Sequence, residues 1–238
     1  MGNEMAKRTR TVMITGAAGN LGRCVAGSFH ASGANLVLVD LQRESLQKAF
    51  GAEDERRLFM PTDLLKQEQA DGAARAAIER FGRIDVLCNL AGGFRMGEAV
   101  HETLDRTWDF LFDINARTLL HAVRAVVPRM IENGGGKIVN VGAFAAQKGL
   151  GQMGAYCAAK GAVIRLTEAL AAELREQNIN VNCVLPSVID TPENRAAMPG
   201  ADPARWVAPE DLASVIVFLA SDAARAIHGA ALPVTGLS

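Results

Sequence analysis

Short apolar runs that stop at glycine or at an acid, each followed by a stretch of helical periodicity, recur along the chain. That alternation restricts its architecture more than any other feature. Thr11–Thr15 (TVMIT) is a β-branched run ending in glycines, as a buried strand does. Gly16-Ala-Ala-Gly19-Asn-Leu-Gly22 follows and opens into a helical pattern through Val25 and Phe29. Further apolar runs lie at 35–40, 56–60, 84–89, 137–141, 179–184 and 230–234, with helical patterns over 64–81, 104–131, 156–177 and 211–220. Strands alternating with helices predict a parallel sheet covered on both faces, a doubly wound α/β sandwich of three layers. Pro233 marks the last strand as an edge, because proline cannot donate to a ladder. Residues 186–209, rich in Pro, Asn and Ala, read as a loop or lid over a site.

One domain over 1–238 accounts for the whole chain, which has no internal repeat or low-complexity segment. A net charge of −1 gives no reason to expect a nucleic-acid or anionic-membrane partner. The basic cluster Lys7, Arg8, Arg10 reads as a solvated tail. No apolar run is long enough to span a bilayer, and residues 1–10 lack the apolar core of a secretory signal. Cys24, Cys88, Cys157 and Cys183 have no C-x-x-C spacing, which fits reduced thiols in a cytoplasmic protein. The four histidines show no metal-ligand spacing, so no metal site is expected.

Three features carry chemistry. Glycines at a strand-to-helix turn let backbone approach a pyrophosphate, and the helix N-terminus offers free N–H groups; a plain tight turn has the same look. Asp40 ends its run 18 positions after Gly22, where an adenosine ribose would lie. A carboxylate there accepts from the ribose hydroxyls and repels a 2′-phosphate, favouring NAD over NADP; otherwise it caps the next helix. Arg43 is the nearby residue able to soften that exclusion. Tyr156 and Lys160 stand four apart on one helix face. A neighbouring ammonium stabilises phenolate and so is expected to lower the phenol pKa towards use as an acid/base.

These residues, with Asp63, the Asn89-x-Ala91-Gly92 stretch, Asn115 and Pro186…Thr191, resemble in order and spacing the short-chain dehydrogenases/reductases over nearly the whole chain. The resemblance implies a seven-stranded Rossmann-like sheet, a nicotinamide cofactor and hydride transfer to or from a small-molecule substrate. It implies that Gly16, Gly19, Asn20, Leu21 and Gly22 hold the pyrophosphate, Asp40 the adenosine ribose, and Asp63 and Leu64 the adenine. Asn89, Ala91 and Gly92 would line the inner ribose, and Pro186, Ile189 and Thr191 the carboxamide. Tyr156 would be the acid/base and Lys160 its partner, with Asn115 positioning a relay water. Helices over 104–131 and 156–177 resemble those through which the family forms homodimers and homotetramers.

Three departures stand against the family pattern. Asn20 replaces the middle glycine, with Gly19 before it, and Pro186-Ser187 replaces Pro-Gly. More seriously, the catalytic serine, 13 residues before the tyrosine, is Ala143, preceded by Gly142. Losing one such donor costs about 10²–10³ in rate. Gln147, Gln152 and Ser187 are the candidate replacements. The stretch 142–146 and the run 185–195 resemble the dihydropteridine reductase branch, which also carries alanine here and reduces a quinonoid ring. The leading expectation is an NAD(H)-dependent oxidoreductase of a small carbonyl, alcohol or conjugated substrate. A quinonoid or imine reductase is the alternative, and a catalytically idle NAD-binding scaffold the third reading.

Overall fold

The computed structural model describes residues 8–238. Its elements are β1 (Thr11–Thr15), α1 (Asn20–Ala31), β2 (Asn35–Asp40), α2 (Arg43–Phe50), β3 (Arg57–Pro61) and α3 (Gln67–Phe81). Then come β4 (Val86–Asn89), α4 (Asp105–Phe112), α5 (Thr118–Glu132), β5 (Gly136–Val141) and α6 (Gly154–Leu174). The chain closes with β6 (Ile179–Pro186), α7 (Pro192–Ala197), α8 (Pro209–Leu219) and β7 (Ala231–Val234).

The seven strands form one sheet in the order β3-β2-β1-β4-β5-β6-β7, every neighbour parallel. Alternate residues of each strand feed opposite cores. Met13, Val37 and Leu87 pack with α3, α5 and α6 on one face. Val12, Ile14, Leu36 and Leu38 pack with α1 and α8 on the other. Both faces are dry, which is why the runs are continuously apolar. The order reverses between β1 and β4, so a crevice opens at their carboxyl ends. Thr15 straddles it: its hydroxyl accepts from Leu90 N and Ala91 N, both at 3.1 Å.

Four details differ from expectation. The helix expected over 104–131 is interrupted between α4 and α5 by one wide π turn, Asp113–Arg117, which contains Asn115. The helix that follows Asp40, α2, is not capped by it: its N-cap is Gln42, with no side-chain cap bond. The segment 186–209 is not all loop, since Pro192 at the first position and a Thr191 cap start α7. Arg10 is tied down, donating to Ala220 O, while Arg8 stays exposed and pairs with Asp85 at 3.3 Å. Lys7 lies outside the described residues. Among the described residues no helix is long and apolar enough to cross a membrane.

Candidate active site

Two cavities open at the carboxyl side of the sheet. The larger is a groove of about 660 Å³ bordered by Gly16, Gly19, Asn20, Asp40, Asp63, Leu64, Ala91 and Gly92. Eight residues expected to hold a cofactor are therefore brought together. Gly16 sits at φ +63°, and a β-carbon there would lie 2.9 Å from Ala91 N. At Gly22 a β-carbon would strike Gly16 O and Ala17 O. The turn is thus pressed against both β4 and its own helix, and a side chain would close the cradle. The first turn of α1 carries no acid and no side-chain cap, leaving its N–H groups free for an anion.

Asp40 borders the groove with its carboxylate fixed by Ala18 N at 2.9 Å and Leu41 N at 2.8 Å. Arg43 is turned away, paired with Glu53 at 3.0 Å and donating to Phe59 O. The basic residues on the groove are instead Arg23 and Lys48, which sequence spacing did not reveal. Asp63 accepts from Leu65 N at 3.0 Å, and Leu64 O is held by His121 Nδ1 at 2.8 Å. The glycine cradle, free helix N-terminus and carboxylate rim fit a dinucleotide.

Other expected contacts are not seen. The Asn89 side chain points into the sheet, donating to Asn140 Oδ1 at 2.9 Å, and that chain continues to Thr167. Pro186, Ile189 and Thr191 do not border the groove. The Thr191 hydroxyl is spent capping α7 by accepting from Asn194 N, while Asn194 Nδ2 donates to Ile189 O. From this lid only Glu193 reaches the groove, and it accepts from Asn20 Nδ2 at 2.7 Å. This contact spans 173 positions, with nothing local to announce it.

The smaller cavity, about 290 Å³, is bordered by Tyr156 together with Arg95, Arg106, Thr107, Leu111 and Gln152 among others. Gly92 stands at the meeting of the machinery: a β-carbon there would lie 2.9 Å from Asn115 Oδ1 and 3.1 Å from Lys160 Nζ. The Asn115 side chain donates to Leu111 O and Gly93 O, both at 2.9 Å, and accepts from Gly93 N at 3.1 Å. The amide thus reaches one turn back to Leu111 O while clamping Gly93. With both donors committed, this side chain holds the loop and has none left for a relay water.

Lys160 is buried and donates to Val141 O at 2.8 Å. Burial pulls its pKa down to about 8. The Tyr156 phenol is pushed up to about 12 by burial, with a smaller push from Cys157. The expected lowering by Lys160 is therefore absent: desolvation and Cys157 both push the phenol up, and the Phe94 ring packs against the tyrosine edge-to-face at 4.8 Å. Ala143 is buried at 5% exposure and presents only a methyl group. A side chain at Gly142 would meet Leu185 Cδ2 at 2.6 Å and Cys183 Sγ at 3.0 Å, so serine there would require buried side chains to shift. Of the three substitutes, Ser187 is committed to Thr235 O and Ser238 at the C-terminus, and Gln147 does not border the cavity. Gln152 does, held at φ 60° by a turn whose carbonyl accepts from Gly97 N. Cys88 and Cys183 are buried, their thiols pushed up to about 12 and about 11, and are packing residues.

The family described as enoyl-(acyl carrier protein) reductase matches residues 16–236. The chain is 34% identical over 239 residues to D-threitol dehydrogenase of Mycolicibacterium smegmatis, covering 95% of this chain and 92% of that protein. It is 31% identical to NAD-dependent glycerol dehydrogenase of Listeria innocua, covering 95% and 92%. Carveol dehydrogenase from Mycobacterium avium, solved in complex with NAD, superposes with a TM-score of 0.88 at 28% identity over 95% of this chain and 96% of that one. Matched from the glycine turn to the last strand, the chain belongs to the short-chain dehydrogenase/reductase family of oxidoreductases.

Proposed function

We propose that the protein transfers hydride between NAD(H) and the carbinol carbon of a small secondary alcohol, or the carbonyl it becomes. The observation that carries this reading is the junction at Gly92. On one side the dinucleotide groove reaches Gly92, and beside it stand Lys160 Nζ and the Asn115 clamp. Tyr156 stands one helical turn from Lys160, on the smaller cavity. The bound nicotinamide supplies or accepts the hydride. The backbone of Gly16, Gly19, Asn20, Leu21 and Gly22 would hold the pyrophosphate, and Asp63 and Leu64 the adenine. Ala91 and Gly92 would hold the inner ribose with Lys160. Asp40 would take the adenosine ribose and, already fixed by two N–H groups, would oppose a 2′-phosphate. The names of the threitol and glycerol relatives support an alcohol substrate, and the latter supports NAD.

With its pKa near 12 the Tyr156 phenol starts protonated, as an acid must when it donates to a carbonyl oxygen during reduction. In the oxidative direction it must first lose that proton. Gln152 is the side chain on this cavity that would donate where serine is missing. Asn115 acts as a positioning residue through Gly93. Trp108, stacked on Phe112 at 4.5 Å, stands exposed with Leu104 and Leu120 on α4 and α5, which supports a homodimer or homotetramer built on these helices.

A quinonoid or imine reductase is the second reading, favoured by the methyl of Ala143, because such a substrate has less need of a donor to a carbonyl oxygen. NADH oxidation against ketones, quinones and a quinonoid dihydropterin, run on wild type, Tyr156→Phe and Ala143→Ser, tests both. Tyr156→Phe is expected to lose about 10²–10⁴ in ketone turnover. A gain of about 10²-fold in ketone turnover on Ala143→Ser would favour the second reading. No turnover by wild type of any substrate in the panel would sink both.

A further inference from the structure

We propose that the substrate carries an anionic group, a carboxylate or another small oxyanion, which Arg95 and Arg106 hold in the cavity beside Tyr156. This rests on the redox reading above and names the substrate class for that site. Arg95, from the loop after β4, and Arg106, in the first turn of α4, both border the 290 Å³ cavity that Tyr156 borders. Among the described residues neither stands within ion-pair distance of a carboxylate.

The cavity has one acid, Glu98, and both its oxygens are already hydrogen-bonded. It accepts from the Thr107 hydroxyl at 2.9 Å and from Leu104 N at 3.2 Å, so it braces the start of α4. Two guanidinium groups against one satisfied carboxylate leave the cavity with a net positive charge. The Arg95 guanidinium carbon lies 3.9 Å from the centroid of the Phe110 ring. Stacking of this kind fixes the plane of the group and leaves its edge N–H groups for an oxyanion. Phe110 is itself fixed near the Gly93 backbone that Asn115 clamps, so this arginine is positioned by the same loop as the reacting end of the site. Both arginines are exposed, so the attraction is a moderate one that salt weakens. A cavity of this volume suits a short chain carrying one alcohol or ketone and one charged end.

The test is calorimetric titration of the NADH- and NAD⁺-saturated protein with matched pairs of short compounds. Each hydroxy acid or keto acid is set against its methyl ester, alongside sulfonate and phosphate analogues of equal length. At least one anion should bind about tenfold or more tightly than its neutral counterpart, and the analogues distinguish which oxyanion is preferred. Arg95→Gln and Arg106→Gln should each remove most of that preference without changing the melting temperature. The proposal is overturned if no anion binds better than its ester, or if the preference survives both substitutions together. It is equally overturned if the substitutions reduce the size of the oligomer and leave selectivity intact, which would assign the arginines to a subunit contact. The redox reading fails separately: anions would then bind with arginine dependence while no pair changed the absorbance of NADH.

Discussion

Asp40 and Lys160 show how one side chain can be set by its backbone partners. Asp40 has no freedom to turn from the groove, because two N–H groups hold its carboxylate. Asp40→Ser should therefore raise kcat/KM with NADPH relative to NADH by tenfold or more, the gain being largest if Arg23 and Lys48 then meet the 2′-phosphate. Unchanged cofactor preference would remove Asp40 from the ribose site. Lys160 makes a prediction about stability. Its folded pKa is about 8 against an ordinary value of 10.5, so between those values the unfolded chain binds more protons than the folded one. Stability from this group accordingly rises as pH climbs from 8 to 10.5, by up to about 3 kcal/mol. Tyr156 acts oppositely and higher, its raised pKa withdrawing stability as pH passes from 10 towards 12. Denaturant titrations at pH 7.5 and 9.5 should show the rise in wild type and not in Lys160→Met. The Tyr-x-x-x-Lys spacing was legible in sequence, but the sign of the phenol shift was not. It depends on how deeply the ring is covered by Phe94, a contact across 62 positions.

At the scale of elements, the turn from β1 into α1 and the exit of β4 work as one unit. Thr15 ties them from the strand side, and the glycines let them touch. Gly92 is the tightest test of this arrangement. Gly92→Ala should cost at least tenfold in NADH affinity and in turnover together, since its methyl would press on both Asn115 and Lys160. Fluorescence titration with NADH alongside steady-state rates would check this, and wild-type values for both would disprove the crowding. The strands and the long helices were legible because their apolar period is local. The lid was less legible: the segment read as loop, whereas α7 starts inside it at Pro192, capped by the Thr191 hydroxyl that was expected at the cofactor. Which partner a hydroxyl takes is decided by residues that folding brings beside it, and sequence does not say which partner wins.

For the whole molecule, a seven-stranded Rossmann-like sheet was implied by the family pattern, and the reversal of its order between β1 and β4 decides where both cavities open. What no local pattern carries is the pairing of distant groups, such as Asn20 with Glu193. Exposed Trp108, Leu104 and Leu120 lead us to expect a dimer or tetramer at micromolar concentration in sedimentation velocity. Trp108→Glu should shift it towards smaller species, and a monomeric wild type would refute the assembly. The π turn at 113–117 has a consequence for the two faces of these helices. It holds one residue more than a regular turn and absorbs it locally, so α5 continues from α4 nearly in phase. Removing that surplus residue would give an unbroken α-helix and leave Trp108 and Leu120 aimed as they are, while the wide turn that offers the Asn115 amide to Gly93 would be gone. One surplus residue thus shapes the inward face of the rod and leaves its outward face undisturbed.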